Sequence, residues 1–184
     1  MERSKAELLL RQGIMELGIP ADERLVGRFL AYMDGILSWN DKVNLTAITD
    51  REEFIRKHFL DSLTCSPFPE MEEADRIIDV GTGAGFPGIP LALVFPDKQF
   101  ILMDSLKKRL KIIDELTEEL GIANVRTLHG RAEDLARMKE HREQYDLCVS
   151  RAVANLAVLS EYTLPFLKVG GPLLAYKGPD ALQE

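Results

Sequence analysis

Residues 77–93, IIDVGTGAGFPGIPLAL, set Gly81, Gly83, Gly85 and Gly88 within eight positions, between one apolar run and another. Glycine adopts left-handed backbone without steric penalty and leaves room for a ligand to approach the main chain. A strand that ends in such a loop and leads into a helix is the start of a β-α-β unit, and the rest of the chain repeats that rhythm. RIIDV, QFILMD, NVRTLHG, YDLCVS and GGPLLAYKG read as strands. Between them, Leu106, Leu110, Ile113, Leu116 and Leu120 mark one helix face, stopped by Gly121. AEDLARMKEH and NLAVLSEYTLPFL read as two further helices, the second capped by Asn155. Pro87 suits a helix start, where its missing N–H costs nothing. Strands alternating with helices predict an α/β fold with a mostly parallel, doubly wound sheet.

The first 74 residues have a different texture. Ser4 with Glu7 predicts a capping box ahead of Leu8, Leu9 and Leu10, and Gly18 and Pro20 end that helix. Leu25, Phe29, Tyr32, Met33, Ile36 and Leu37 repeat at helical spacing. Asp50 with Glu53 opens a third helix through Phe54, Ile55, His58, Phe59 and Leu63. We therefore divide the chain into an N-terminal helical extension, 1–74, and an α/β core, 75–184, joined as one compact unit. A hydrophobic content of 46% supplies a core of ordinary size for 184 residues. The longest apolar runs are too short to span a bilayer. The net charge of −7 argues against non-specific coating of nucleic acid. Cys65 and Cys148 are far apart and in apolar company, which predicts buried free thiols. His58, His129 and His141 show no metal-ligand spacing, so no metal site is expected. Together these features predict a cytoplasmic protein with no membrane contact, and they set no oligomeric state.

In doubly wound sheets ligands bind beyond the carboxyl ends of the strands. Gly83, Gly85 and Gly88 spell G-x-G-x-x-G, which suggests a dinucleotide. In that fingerprint, however, the first glycine follows the strand directly, and here that residue is Gly81, whose sixth position is Phe86. The register that fits is D-x-G-x-G-x-G, from Asp79 to Gly85, the first motif of Rossmann-like methyltransferases. It points to S-adenosylmethionine, which carries no phosphate and tolerates an acid beside the loop. Asp79 is then placed at the cofactor's ammonium or at the loop itself. Asp104 is placed at the ribose hydroxyls, and Glu133, after Ala132, near the adenine amino group.

Beyond the loop, NLTAI (44–48), KHFLDSL (57–63), DVGTGAGFPGIPLAL (79–93), DSLKKR (104–109), RAEDL (131–135) and SRAVANL (150–156) resemble the RsmG/GidB family of bacterial 16S rRNA guanine-N7 methyltransferases. The resemblance runs from about residue 25 to Gly178. It implies a Rossmann-like class I methyltransferase fold, S-adenosylmethionine as cofactor, and 16S rRNA or the small ribosomal subunit as partner. Cofactor contacts would fall on Gly81, Phe86, Ala132, Glu133 and Arg151, with Gly83 and Gly85 completing the loop. Sheets of this class carry a sixth and a seventh strand, which are missing here: the sequence ends eight residues after Tyr176. An unpaired edge at the fifth strand is therefore expected.

Guanine N7 has a lone pair and no proton, so no general base is expected, and the rate comes from positioning. Arg151, after the fourth strand, suits the guanine edge, the cofactor or both. Lys107, Lys108 and Arg109 oppose the dipole of the helix they open. They fit RNA phosphates, joined by Lys57, His58 and Lys177, or equally a solvated helix face. The alternatives are a methyltransferase with another substrate, a NAD-dependent oxidoreductase, and a binding module that keeps the pocket without the chemistry.

Overall fold

The computed structural model describes residues 2–178. Helices α1 (Glu2–Glu16) and α2 (Glu23–Asn40) open the chain. Ser4 lies inside α1 rather than capping it, because the helix is already formed at Glu2. Asp22 caps α2, accepting from the Leu25 N–H at 2.7 Å. The helix expected from Asp50 to Leu63 is not continuous. α3 (Arg51–Phe54), capped by Asp50 through the Glu53 N–H at 2.8 Å, widens into a π-helical turn, Ile55–Leu60, before α4 (Asp61–Leu63). Such wide turns are rare and concentrate at functional sites. A short α5 (Pro69–Glu73) leads to the sheet.

Strands β1 (Arg76–Val80), β2 (Gln99–Asp104), β3 (Val125–His129), β4 (Leu147–Arg151) and β5 (Leu173–Tyr176) form one sheet in the order β3-β2-β1-β4-β5. Every pair is parallel. Val80 pairs with Met103, Asp104 with His129 and Arg151 with Tyr176, so the carboxyl ends share one rim. Strand order reverses between β1 and β4, which opens a crevice beside the glycine loop. The connecting helices are α6 (Gly88–Val94), α7 (Lys107–Glu119), α8 (Ala132–Leu135) and α9 (Leu156–Thr163). The helix expected over AEDLARMKEH closes after four residues. Beyond the buried Ala136, the only large apolar side chain in RMKEH is Met138, which is exposed, so no apolar stripe holds another turn.

Alternation along the strands splits the interior in two. Ile77, Leu102, Leu147 and Val149 face a core shared with Leu10 and Ile14 of α1, Phe29, Met33 and Ile36 of α2, and Phe54 and Phe59. Ile78, Val80, Ile101, Met103 and Cys148 face the opposite layer, with Leu135, Tyr145 and Phe166. The N-terminal helices thus cover one side of the sheet through an intervening layer, α1 packing on the π-helical turn and α2 on α6 and α7. Both cysteines are free and buried. No helix among the described residues is long and apolar enough to cross a membrane.

Candidate functional site

Gly81, Gly83 and Gly85 all have positive φ, at 77°, 61° and 89°, a conformation that disfavours side chains at each turn of the loop. The Gly81 and Thr82 N–H groups both donate to the Met103 carbonyl, at 2.9 and 3.0 Å. Asp104 accepts from the Gly83 N–H at 2.9 Å through Oδ2 and from the Leu106 N–H at 2.8 Å through Oδ1. From the helical layer, the buried Tyr32 hydroxyl donates to the Ala84 carbonyl at 2.9 Å. Tyr32→Phe would leave that carbonyl buried and unpaired. We expect a loss of about 1–2 kcal/mol in urea unfolding, with weaker cofactor binding as the loop loosens.

Asp79 lies under the loop, fully buried. Its Oδ2 accepts from the Thr82 hydroxyl at 2.6 Å and the Gly88 N–H at 2.9 Å. Its Oδ1 has no hydrogen-bond partner among the described residues. Burial pushes the carboxyl up to about 7, although both hydrogen bonds and the Arg151 charge pull it down. The carboxyl lines neither of the two spaces described below, so its charge reaches a cationic ligand, such as the sulfonium and ammonium of S-adenosylmethionine, only across the loop that covers it.

Gly81, Asp104, Arg109, Ala132 and Glu133 line one cavity of about 330 Å3, with Ala152 and Val153 on its far wall. That volume lies in the range of small-ligand sites. Asp104 keeps free lone pairs despite its two backbone bonds, so it can still accept from a hydroxyl. Arg109 reaches back to 3.8 Å from Asp104, placing it at the cavity rather than with its neighbouring lysines. Phe86 is not on the wall. The residue is 5% exposed and its ring packs among Tyr32, Phe54, Phe59 and His58, which takes the side chain away from any ligand in the cavity.

Arg151 ends β4 beside a second, larger groove of about 1080 Å3, which it lines with Asp61, Cys65, Tyr176 and Lys177. Its Nη1 donates to the Lys57 carbonyl at 2.8 Å and to Asp61 Oδ2 at 2.7 Å, and its Nη2 lies 3.1 Å from His58 Nδ1. The guanidinium also sits 5.5 Å from the Phe86 ring centroid. Ala152 and Val153 line both spaces, so the groove and the smaller cavity share a wall. Ala152 has φ 56°, and the Val153 side chain rests against Gly81.

The cations expected to act together fall into two patches. Lys107 and Lys108 are exposed at the start of α7 beside Lys111 and His129. Leu106, the residue that caps α7, offers no side-chain hydrogen bond. Lys177 lies on the groove and donates to the Ala154 carbonyl at 2.6 Å, while Lys57 is exposed and pairs with Glu53. β2 and β5 stand three strand spacings apart, roughly 14 Å, so the patches flank the cavity from opposite sides. His58 belongs to neither, being half-buried against Phe86.

Residues 26–184 match the family model GidB, rRNA small subunit methyltransferase G. The chain belongs to this family. A ribosomal RNA small subunit methyltransferase G from Alkaliphilus metalliredigens is 50% identical over 98% of this chain and 75% of its own length. One from Clostridium tetani is 48% identical over 96% and 74%. Among solved structures, an O-methyltransferase from Bacillus cereus in complex with SAH superposes with a TM-score of 0.58 at 18% identity, over 89% of this chain and 70% of its own. A methyltransferase from Podospora anserina gives 0.51 at 17%, over 85% and 71%. These two share the class I methyltransferase fold. GidB membership makes the chain a methyltransferase that uses S-adenosylmethionine, and it sets aside the oxidoreductase.

Two site features of this GidB chain were not legible in sequence. The Tyr32 latch spans 52 residues. Its one signal is a phenol on an otherwise apolar helix face, since a buried hydroxyl must find an acceptor. The Thr46–His58–Arg151–Asp61 cluster joins three segments, and no spacing rule reports it.

Proposed function

We propose that the chain methylates N7 of a guanosine in 16S rRNA, with the smaller cavity holding the methyl donor and Arg151 orienting the base. When bound, the donor supplies a sulfonium-activated methyl carbon. Transfer to the N7 lone pair would exchange the donor's C–S bond for a C–N bond, with the electron pair left on sulfur, and would need no proton removed. The residues around the site therefore act by placement and charge. Asp79 and the glycine loop receive the cationic tail, Asp104 the ribose, and Ala132 and Glu133 the adenine. Arg151 presents guanidinium donors toward the groove, where guanine O6 is the natural acceptor. The observation that carries this reading is that Arg151 lines the groove directly before Ala152 and Val153, the two residues that the groove and the smaller cavity share. The work takes place in the cytoplasm, where rRNA is made and folded.

Mass spectrometry of rRNA from cells lacking the gene should show one 7-methylguanosine lost from 16S rRNA and restored by the intact gene. An unchanged nucleoside profile would refute the reading. Lys107 and Lys108 are assigned to RNA phosphates. Replacing both by alanine should reduce the slope of log affinity against log salt by about 1.5–2, leaving cofactor affinity as it was. A slope equal to that of the parent chain would make them a solvated helix face.

A further inference from the structure

Arg151 is held by a relay that starts in another part of the chain. His58 Nδ1 lies 3.1 Å from Arg151 Nη2, and His58 Nε2 lies 2.8 Å from Thr46 Oγ1. A guanidinium offers only donors, so Nδ1 must accept. A neutral imidazole that accepts at Nδ1 carries its proton on Nε2, where it donates to Thr46. Thr46 Oγ1 also accepts from the Ile48 N–H at 3.1 Å. The Thr46 main chain is fixed in turn by Asn40, whose Oδ1 accepts from the Leu45 and Thr46 N–H groups at 2.8 and 3.0 Å. Asn40 Nδ2 donates to the Thr46 carbonyl at 3.0 Å. The imidazole plane is set as firmly. It stacks on Phe86 with centroids 4.5 Å apart and planes 1° from parallel, and Phe54 meets it edge-on at 4.7 Å. Both nitrogens and one face of the ring are engaged, which removes His58 from the RNA-facing set and gives it another task.

We propose that His58 is a positioning residue for methyl transfer, a neutral Nε2–H imidazole that fixes the Arg151 guanidinium relative to the glycine loop and the 44–48 segment. The proposal rests on the reading of Arg151 as the base-orienting group. The stack on Phe86 ties the relay to the residue that follows Gly85, so one ring references the guanidinium to the loop that would hold the methyl donor. Protonation of Nδ1 would turn the acceptor into a donor and set two cations face to face. The charged groups around the ring are Arg151 from β4 and, from its own helical stretch, Asp61 and Glu53. Burial and Arg151 outweigh the two acids and hold the imidazole down to about 4.

The test compares His58→Asn, which keeps an acceptor at the Nδ1 position, with His58→Gln, which keeps a polar group only at the Nε2 position, and with His58→Ala. Methylation of small-subunit rRNA is measured alongside Arg151→Lys. We expect kcat to fall roughly 30–100-fold in the Gln and Ala variants, the scale of a small misplacement of an orienting group. KM for RNA and cofactor should stay within about threefold, and the Asn variant should recover at least about tenfold over Gln. Nitrogen-15 NMR of the unliganded wild-type chain should show His58 as the neutral Nε2–H tautomer at pH 6–8. A charged or Nδ1–H ring at pH 7 overturns the proposal whatever the rates. Wild-type kcat in the Gln variant beside a crippled Arg151→Lys overturns it too, leaving the role of Arg151 standing. An unimpaired Arg151→Lys removes the reading on which the proposal rests.

Discussion

Arg151→Lys is expected to lower methyl transfer to small-subunit rRNA about 100-fold while the protein stays folded. One guanidinium donates at once to the Lys57 carbonyl, Asp61 and His58. An ammonium is a point charge without that planar fork, so it can satisfy one or two of these acceptors but not hold a direction toward a purine edge. Stability should change little, because Asp61 is half-exposed and a pair of that kind contributes about 1 kcal/mol at most. The checks are single-turnover methylation and thermal melting of the same preparations. A folded lysine variant with the parent rate would show that Arg151 supplies charge alone.

Asp79→Asn is expected to stabilise the free protein above neutral pH and to weaken cofactor binding roughly 10–100-fold. The sign follows from burial. The folded-state carboxyl sits at about 7, above its ordinary 3.8. Between those values the native state binds more protons than the unfolded state, so stability is fullest below about 4 and declines as pH rises through 7. Asparagine removes the charge and keeps an acceptor for Thr82 and Gly88. The gain should be on the order of 1–3 kcal/mol at pH 8 and absent at pH 4. Denaturant melts at the two pH values, with calorimetric titration of S-adenosylmethionine, separate the effects. A variant less stable at pH 8 would mean that the carboxylate is satisfied in solution. Unchanged cofactor affinity would mean that Asp79 serves the loop and not the ligand.

How much of this was legible beforehand depends on how local the cause is. The loop was readable because each glycine answers a backbone demand at its own position, and Asp104 and Ala132–Glu133 because they stand at or just beyond strand ends. The strand order was not, since pairing β1 with both β2 and β4 is a long-range choice that many sequences share. The π-helical turn at Ile55–Leu60 escaped because the residues around it keep an ordinary amphipathic pattern. His58 and Phe86 were each singled out, one for RNA and one for cofactor. Their 28-residue separation hid the fact that they stack on each other and so occupy the faces those roles would need. Arg109 was read from its charged neighbours, but position within the first turn of α7 decides its direction, and it turns back toward Asp104.

The turn at Ala152–Val153 belongs to two rooms at once. A partition this thin passes pressure both ways: an occupant that displaces Val153 from Gly81 on one side alters the floor offered to an occupant on the other. Free energies around such a cycle must close, so whatever factor the methyl donor imposes on RNA affinity, RNA must return to the donor unchanged.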